Sequence, residues 1–316
     1  MRLTDGPTGF DREEMAACPK CGRANPPDRA GCIYCGAELP TGSRELRIDS
    51  RPFEEWESGI NLVLISAKES SDAGAAAKVL GWEADELRSA IESGVPLPLA
   101  RVRTEAEAGS ISRRLGEAGL VTRNVADAEL DPGTAPQRLR AIEFDGVDIL
   151  LHLFNTGEVV RAAFGDVVLL VRGRIYESRS ESFEQRKLRG TRSVESLESS
   201  EESGVIDIYV GEDRRGFRVP ISGFDFSCLG GERSLFAREN IGRLFDLLAE
   251  KCTAAESDGS YDELRHLLDH AWPPATTRDS QGLKRTGLGT KALSRVETVT
   301  NREQFTKYSR LRRTLI

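Results

Sequence analysis

The chain has 316 residues, of which 39% are hydrophobic and 30% charged, with a formal net charge of −7. That length allows two or three domains, and the modest apolar share points to linkers or tails that dilute the cores. The longest apolar runs, Val147 to Phe154 and Val167 to Val171, are strand-sized, which excludes a bilayer-spanning helix at those places. The charge is unevenly spread. Residues 273–316 hold ten Arg and Lys against three Asp and Glu, a local +7 that leaves about −14 on the first 272 residues.

Residues 1–16 read as a disordered leader without the apolar core of a secretion signal. The stretch that follows, 17–40, holds four of the six cysteines in two hooks, Cys18-Pro-Lys-Cys21-Gly22 and Cys32-Ile-Tyr-Cys35-Gly36, with ten residues between them. Paired hooks at this spacing can place four sulfurs at the corners of a tetrahedron, the geometry Zn²⁺ takes in a closed structural site. A glycine after each hook suits a tight turn whose backbone N–H groups point at the thiolates. Two disulfides are the rival reading, and they require an oxidising compartment. Without a secretion signal, a reducing cytoplasm and a structural Zn²⁺ on Cys18, Cys21, Cys32 and Cys35 are expected.

The residues Cys18-Pro19, Cys21-Gly22, Asn25-Pro26, Cys32, Cys35-Gly36-Ala37 and Leu39 resemble the short zinc-ribbon family over residues 18–39. The resemblance implies a small β-hairpin module that docks or stabilises. Gly31 departs from it, since the family often has an aromatic beside the third cysteine, and Tyr34 is the candidate to supply that packing. Residues 41–57 form a linker that turns amphipathic near Phe53 and Trp56.

From 58 to 128 the pattern becomes regular. Leu62 to Ser66 is a strand by its apolar run, and Ser70-Ser71-Asp72 can cap a helix ending at Leu80-Gly81. Ala84, Leu87, Ala90 and Ile91 share one face of a second helix that stops at Gly94. Leu97 to Val102 is the next strand. Thr104 followed by Glu107 opens a third helix, which carries Ile111 and Leu115 inward and ends at Gly119 before a strand over Leu120 to Val125. This βααβαβ order predicts a small sheet with helices on one face. The strand, Leu80-Gly81, Glu86 to Ser93 and Leu115-Gly-Glu-Ala-Gly119 resemble the C-terminal domain of the bacterial ribosomal stalk protein and the protease adaptor of the same fold. Asp85 stands near the position of the stalk's signature lysine. The resemblance therefore implies a protein-binding fold without the stalk's translation-factor contact.

After a linker at 129–138, residues 139–272 read as a β-rich domain. Short runs at 139–144, 148–154, 159–164, 166–172 and 174–178 are separated by turn signals, with hairpin turns expected at Asn155-Thr-Gly157 and Arg172-Gly-Arg174. Residues 193–204, rich in Ser and Glu and without periodicity, read as a mobile loop. Strands resume at 205–210 and 216–221, Phe224 to Phe226 extends the sheet, and Ile241, Leu244, Leu247 and Leu248 mark a helix over 238–254. Cys228 and Cys252 read as small buried hydrophobes. Strands followed by one helix, with the stretch Gly165-Asp-Val-Val-Leu-Leu-Val-Arg-Gly-Arg-Ile-Tyr176, resemble bacterial pleckstrin-homology-like domains. No cluster of Lys and Arg in the first hairpin implies a phosphoinositide site.

A short helix over 261–272 ends at Pro273-Pro274. Residues 273–316 are expected to be a basic tail, flexible over 275–299, with Phe305, Tyr308, Leu311 and Leu315 on one face of a docking helix. His266 and His270, four apart with Asp269 between, lack a third metal ligand and read as a solvated face; His152 reads as a core histidine. Gly287, Gly289 and Lys291 lack the phosphate-loop spacing.

The expected class is multidomain α+β: an N-terminal four-cysteine zinc ribbon, a small βααβαβ domain and a β-rich domain with a C-terminal helix. The function expected of it is a non-enzymatic cytoplasmic adaptor that binds protein partners of unknown identity. Two alternatives stand beside it. One is nucleic-acid or ribosome association through the basic tail. The other is an enzyme whose site gathers Asp207, Arg214, Arg218 and Asp225 in the β-rich domain.

Overall fold

The computed structural model describes residues 15–26, 29, 31–37, 39, 53, 57–131, 133–186, 192–287 and 290–316. Residues 1–14, most of 41–56 and Trp56 itself, read above as leader and linker, lie outside the described residues. The chain divides into two compact units, 1–129 and 130–316. The fold is mixed α+β, with a cysteine cluster near the N-terminus.

In the first unit, β1 (Ala16–Ala17) and β2 (Ala24–Asn25) form an antiparallel pair that carries the first cysteine hook. β3 (Ile60–Ala67), α1 (Ala73–Leu80), α2 (Ala84–Glu92), β4 (Leu97–Val102), α3 (Glu105–Glu117) and β5 (Leu120–Ala126) follow in the order read from the sequence, then a short α4 (Asp127–Leu130). β3 is the centre of an antiparallel sheet ordered β4-β3-β5.

The helix ends lie where their caps put them. Asp72 accepts from Ala75 N at 2.9 Å, and Thr104 and Glu107 close a reciprocal capping box. Gly119, at φ +87°, ends α3 where an added Cβ would meet Ser71 Cα at 2.9 Å, so only glycine fits that turn. Five consecutive residues of β3, Ile60 to Leu64, are buried. Both faces of the sheet's centre are therefore covered, not the one face that helices alone would cover. Asp127 joins all three strands: it accepts from Gly59 N at 2.6 Å, from buried Asn61 on β3 at 2.9 Å and from Arg101 on β4 at 2.9 Å.

The second unit is built on a nine-stranded sheet. Its strands are β6 (Gln137–Asp145), β7 (Asp148–Leu153), β8 (Val159–Ala163), β9 (Val167–Arg186), β10 (Arg192–Val210), β11 (Phe217–Pro220), β12 (Glu256–Asp258), β13 (Ala275–Gly287) and β14 (Thr290–Thr300). Their order is β13-β14-β9-β10-β11-β6-β7-β8, with β12 beside β9. The β11–β6 and β12–β9 pairings are parallel and the others antiparallel. Three helices pack on it: α5 (Ala237–Lys251), α6 (Tyr261–Leu268) and α7 (Arg302–Leu315).

Because side chains alternate across a strand, β10 serves two cores. Ile206 and Ile208 join Ile142, Leu151, Leu244 and Leu248 beneath α5. Tyr209, from the opposite face, reaches Ser309 on α7 at 2.9 Å.

Four expectations need correction here. Arg172-Gly173-Arg174 is not a turn, since β9 runs straight through it. A Cβ on Gly173 would lie 2.6 Å from Tyr261 and 2.7 Å from Phe305, so this glycine admits two aromatic side chains against the strand. Residues 193–204 are not a loop but most of β10, paired residue by residue with β9. Residues 197–201 are exposed, so this part of the strand has no buried face to impose a hydrophobic period.

Residues 275–287 and 290–299 are likewise strands, not flexible tail, and β14 pairs with β9. The β-rich region therefore does not close with one helix at 254. Finally, Phe224 to Phe226 adds a single bridge, Asp225 to Ala141, and leads into a 3₁₀ turn over Phe226–Glu232.

α7 is seated by polar as well as apolar contacts. Phe305, Tyr308 and Leu311 are fully buried, with Tyr261 edge-on to Phe305 at 5.0 Å. Asn301, also buried, accepts from Tyr176 N at 2.8 Å and donates to Arg174 O at 3.0 Å, which ties the helix start to β9. Tyr308 donates to Asp258 at 2.7 Å, and Arg312 lies 2.8 Å from the same carboxylate. Burial pushes the hydroxyls of Tyr209, Tyr261 and Tyr308 above their ordinary range, so each keeps its proton, and Tyr261 donates to Gln304 as Tyr308 does to Asp258.

Candidate metal centre

The two cysteine hooks fold alike because their sequences repeat the same local chemistry. In the first, Gly22 N donates to Cys18 O at 2.9 Å, and in the second Gly36 N donates to Cys32 O at 2.9 Å. Both glycines are left-handed, at φ +69° and +70°, the conformation each turn requires. Within each turn a backbone N–H faces the first sulfur: Lys20 N to Cys18 Sγ and Tyr34 N to Cys32 Sγ, both at 3.4 Å.

Together the hooks bring all four sulfurs within 4.8 Å of one another. Cys18 and Cys35 are 3.6 Å apart, as are Cys21 and Cys32, so the close pairs run across the hooks. Sulfurs held about 2.3 Å from a tetrahedral ion stand about 3.8 Å apart, which these separations match. A disulfide needs about 2.05 Å. The cluster therefore can hold a metal ion through four thiolates. Among the described residues no other group of three or more His, Cys, Asp or Glu side chains is so placed.

Electrostatics favour a cation at that point. Cys32 is drawn down to about 6: burial opposes ionisation, but the N–H groups of Tyr34 and Cys35 and the neighbouring thiols outweigh it. Cys21 is pushed up to about 12. Arg23 N–H favours its thiolate, yet burial and three adjacent sulfurs prevail. Neighbouring sulfurs thus oppose a thiolate on Cys21, a repulsion that a bound cation would relieve.

One residue that the spacing argument passed over is Asn25. It is fully buried, accepts from Ile33 N at 2.9 Å and donates to Arg23 O at 2.7 Å, so it staples the first hook to the second. Its only sequence signal is the Asn-Pro step between the hooks. Gly31 also acquires a reason. An added Cβ there would lie 3.3 Å from Thr104 Oγ1 and 3.6 Å from Ala106 Cβ, so the hook approaches the start of α3 where an aromatic side chain would not fit. Tyr34 is exposed and lies under the Arg23 guanidinium at 4.7 Å instead of filling the missing aromatic's place.

The other sequence candidates do not assemble a site. Asp207 and Arg218 face each other across β10 and β11 in a two-bond ion pair, 2.7 Å each, with the Phe305 ring 5.1 Å from the guanidinium. Arg214 is exposed in the turn after β10. Asp225 caps the 3₁₀ turn through Ser227, whose hydroxyl and N–H hold its carboxyl below the usual range. These four residues therefore do not gather in a common pocket.

His266 and His270 are exposed on and just after α6, and Asp269 accepts from Gln304 at 2.7 Å. His152 on β7 lies 3.2 Å from Glu143. Gly287 helps close the β13–β14 hairpin, and Gly289 lies outside the described residues. Cys252 is buried in the α5 core and Cys228 packs at its margin.

The molecule so defined is an α+β protein with a four-cysteine centre able to hold a metal ion. The chain matches no family model, no curated protein and no solved structure. No helix among the described residues is long and apolar enough to cross a membrane.

Proposed function

We propose that the protein is a non-enzymatic adaptor whose four-cysteine centre holds one structural Zn²⁺ and presents a docking surface to a protein partner. The observation that carries this reading is the cluster itself, four thiols within 4.8 Å, with Ile33 and Tyr34 exposed on its second turn. Four thiolates fill every position of a tetrahedral Zn²⁺, which leaves no place for a substrate or an activated water. The ion's contribution is then folding free energy, on the order of 10 kcal/mol for structural zinc sites. A reducing compartment such as the cytoplasm keeps the four thiols available to it.

Ile33 and Tyr34 are about half exposed, at 51% and 53%, on a turn that the metal makes rigid. Apolar groups fixed on a rigid support bind with little ordering entropy. The nucleic-acid alternative receives less support. Arg310 donates to Leu130 O at 3.2 Å, Arg312 pairs with Asp258, and Arg313 donates to Gly211 O at 2.5 Å, so much of the C-terminal charge is engaged within the chain.

The experiment is affinity capture from the native cell with wild type and with an Ile33→Asp/Tyr34→Asp variant of equal zinc content. The adaptor reading expects a discrete protein recovered with wild type and lost with the variant. Capture that survives the double substitution, or that nuclease or high salt abolishes, contradicts it.

A further inference from the structure

β9 and β10 outrun the rest of the sheet. β11 pairs with β10 only over Val205–Ile208 and β12 with β9 only over Leu169–Val171, whereas β9 and β10 stay paired out to Arg186 and Arg192. The hairpin of β13 and β14 runs alongside, with Lys291 of β14 opposite Arg186. Beyond the tie of Asn301 to Tyr176 the sheet is therefore a ribbon of four strands, β13-β14-β9-β10. From Tyr176 to Arg186 it covers about 33 Å at about 3.3 Å per residue.

Charge is sorted along this ribbon. Over 177–184 β9 holds Glu177, Glu181 and Glu184 against Arg179, and over 195–202 β10 holds Glu195, Glu198, Glu201 and Glu202 against no base. At the far end the balance inverts, since residues 185–194 and 280–294 contain no Asp or Glu. The register there sets Arg192, Arg186, Lys291 and Arg285 directly opposite one another, one to a strand. Neighbouring Cα atoms in such a row stand about 5 Å apart, so four cationic residues cross about 15 Å. Like charges directly opposite destabilise a sheet, and uncharged residues of good β propensity would serve the fold better at these positions. A local choice that works against the fold points to function, and a polyanion lying across the row turns its repulsion into attraction.

We infer that this row binds the phosphate backbone of double-stranded nucleic acid without regard to its sequence. A duplex carries one charge per about 1.7 Å, so about 15 Å of it offers about nine phosphates to the four cations. No aromatic residue stands at 184–208 or 273–304. Stacking on unpaired bases needs such rings, and a membrane interface is commonly anchored by them, so a duplex backbone suits these strands better than either. The arginines of α7, engaged within the chain, are a different set. The inference therefore goes beyond the adaptor reading: it assigns a second surface, on the second unit, and rests on neither the metal centre nor Ile33 and Tyr34.

The test uses the full zinc-loaded chain with fluorescein-labelled RNA and DNA duplexes of one sequence, read by anisotropy. Four neutralised phosphates give a slope of about −3.6 in log affinity against log salt, about a 150-fold loss between roughly 50 and 200 mM NaCl. Arg186→Thr/Arg192→Thr/Arg285→Thr/Lys291→Thr is expected to lose the binding while its melting temperature holds or rises, because the repulsion within the row leaves with the charges. Should that variant misfold, Lys291→Thr alone is expected to make the slope shallower by about 0.9. Lys78→Thr/Arg214→Thr/Arg233→Thr/Arg238→Thr removes four exposed bases elsewhere, changes the net charge equally, and is expected to bind like wild type.

Binding of either duplex supports the inference, and the tighter of the two identifies the source as RNA or DNA. It is overturned if neither duplex binds, if the variants of the row keep the affinity and salt slope of wild type, or if the control variant loses binding as fully as the row variant. Phosphatidylserine vesicles that displace the duplex at equal phosphate concentration overturn it too, and assign the row to a membrane surface.

Discussion

The ion pair between Asp207 and Arg218 decides whether the β-rich unit hides a catalytic carboxylate or a structural one. Asp207 is 1% exposed, both its oxygens accept from Arg218 at 2.7 Å, and Phe305 of α7 lies over the guanidinium. Removing one member of a buried pair leaves the other charge without water or partner, and costs about 3–5 kcal/mol. For a unit of this size each kcal/mol moves the melting temperature by about 2–4 °C. Asp207→Ala is therefore expected to lower the melting of residues 130–316 by about 6–20 °C.

Taking out both charges is a different matter. Asp207→Leu with Arg218→Met removes the desolvation penalty along with the attraction, and is expected to recover most of the loss. Hydrogen exchange read by mass spectrometry on β10 and β11 peptides isolates this unit from the first one. Single variants that exchange like wild type would refute the reasoning. A loss below about 1 kcal/mol is what a hydrated surface pair shows, and it would return Asp207 to the list of groups open to a substrate.

Three further outcomes follow from the same geometry. Asn25→Ala removes the staple between the hooks and is expected to weaken metal binding about 10- to 100-fold, as loss of a supporting contact around a metal site does. Competition with a chromophoric chelator measures it, and unchanged affinity would mean the hooks align without Asn25. Gly173→Ala drives a methyl to within 2.6 Å of Tyr261 and 2.7 Å of Phe305, both fully buried. Overpacking of this kind costs about 1–3 kcal/mol and loosens α7, so proteolysis near the C-terminus is expected to quicken; cleavage at the wild-type rate would mean α7 is not seated there. Acidification is expected to release the metal, because the ion binds thiolates and protons compete for them. Metal retention that does not fall with pH would contradict thiolate ligation.

What the sequence disclosed and what it hid divide along the range of the interactions. The hooks were legible because a turn, its glycine and its sulfur lie within five residues. The βααβαβ order was legible for a similar reason, since Asp72, Gly81, the Thr104–Glu107 box and Gly119 fix helix ends locally.

Gly173 and Gly204 were opaque. Gly173 read as the centre of a turn and Gly204 as the last residue of a loop, yet each is a place where a distant side chain, Phe305 or Ile241, presses on a strand. Residues 197–201 gave no signal because β10 is exposed there and Ser and Glu suffice. The seat of α7 could be anticipated from the spacing of Phe305, Tyr308 and Leu311. Its partners on β9, β12 and α6 could not, since pairings across such distances in the chain leave no periodic trace. Asn25 was hidden differently, because a buried staple and a loop asparagine are spelled alike.

The account rests most heavily on one ion held by four sulfurs. Elemental analysis of protein purified without chelator or added metal, with native mass spectrometry of the same sample, measures this directly. The expected result is one zinc per chain with Cys18, Cys21, Cys32 and Cys35 all in the thiol state after acid release. A metal-free chain whose mass is four hydrogen atoms light, with Cys18 joined to Cys35 and Cys21 to Cys32, would contradict it.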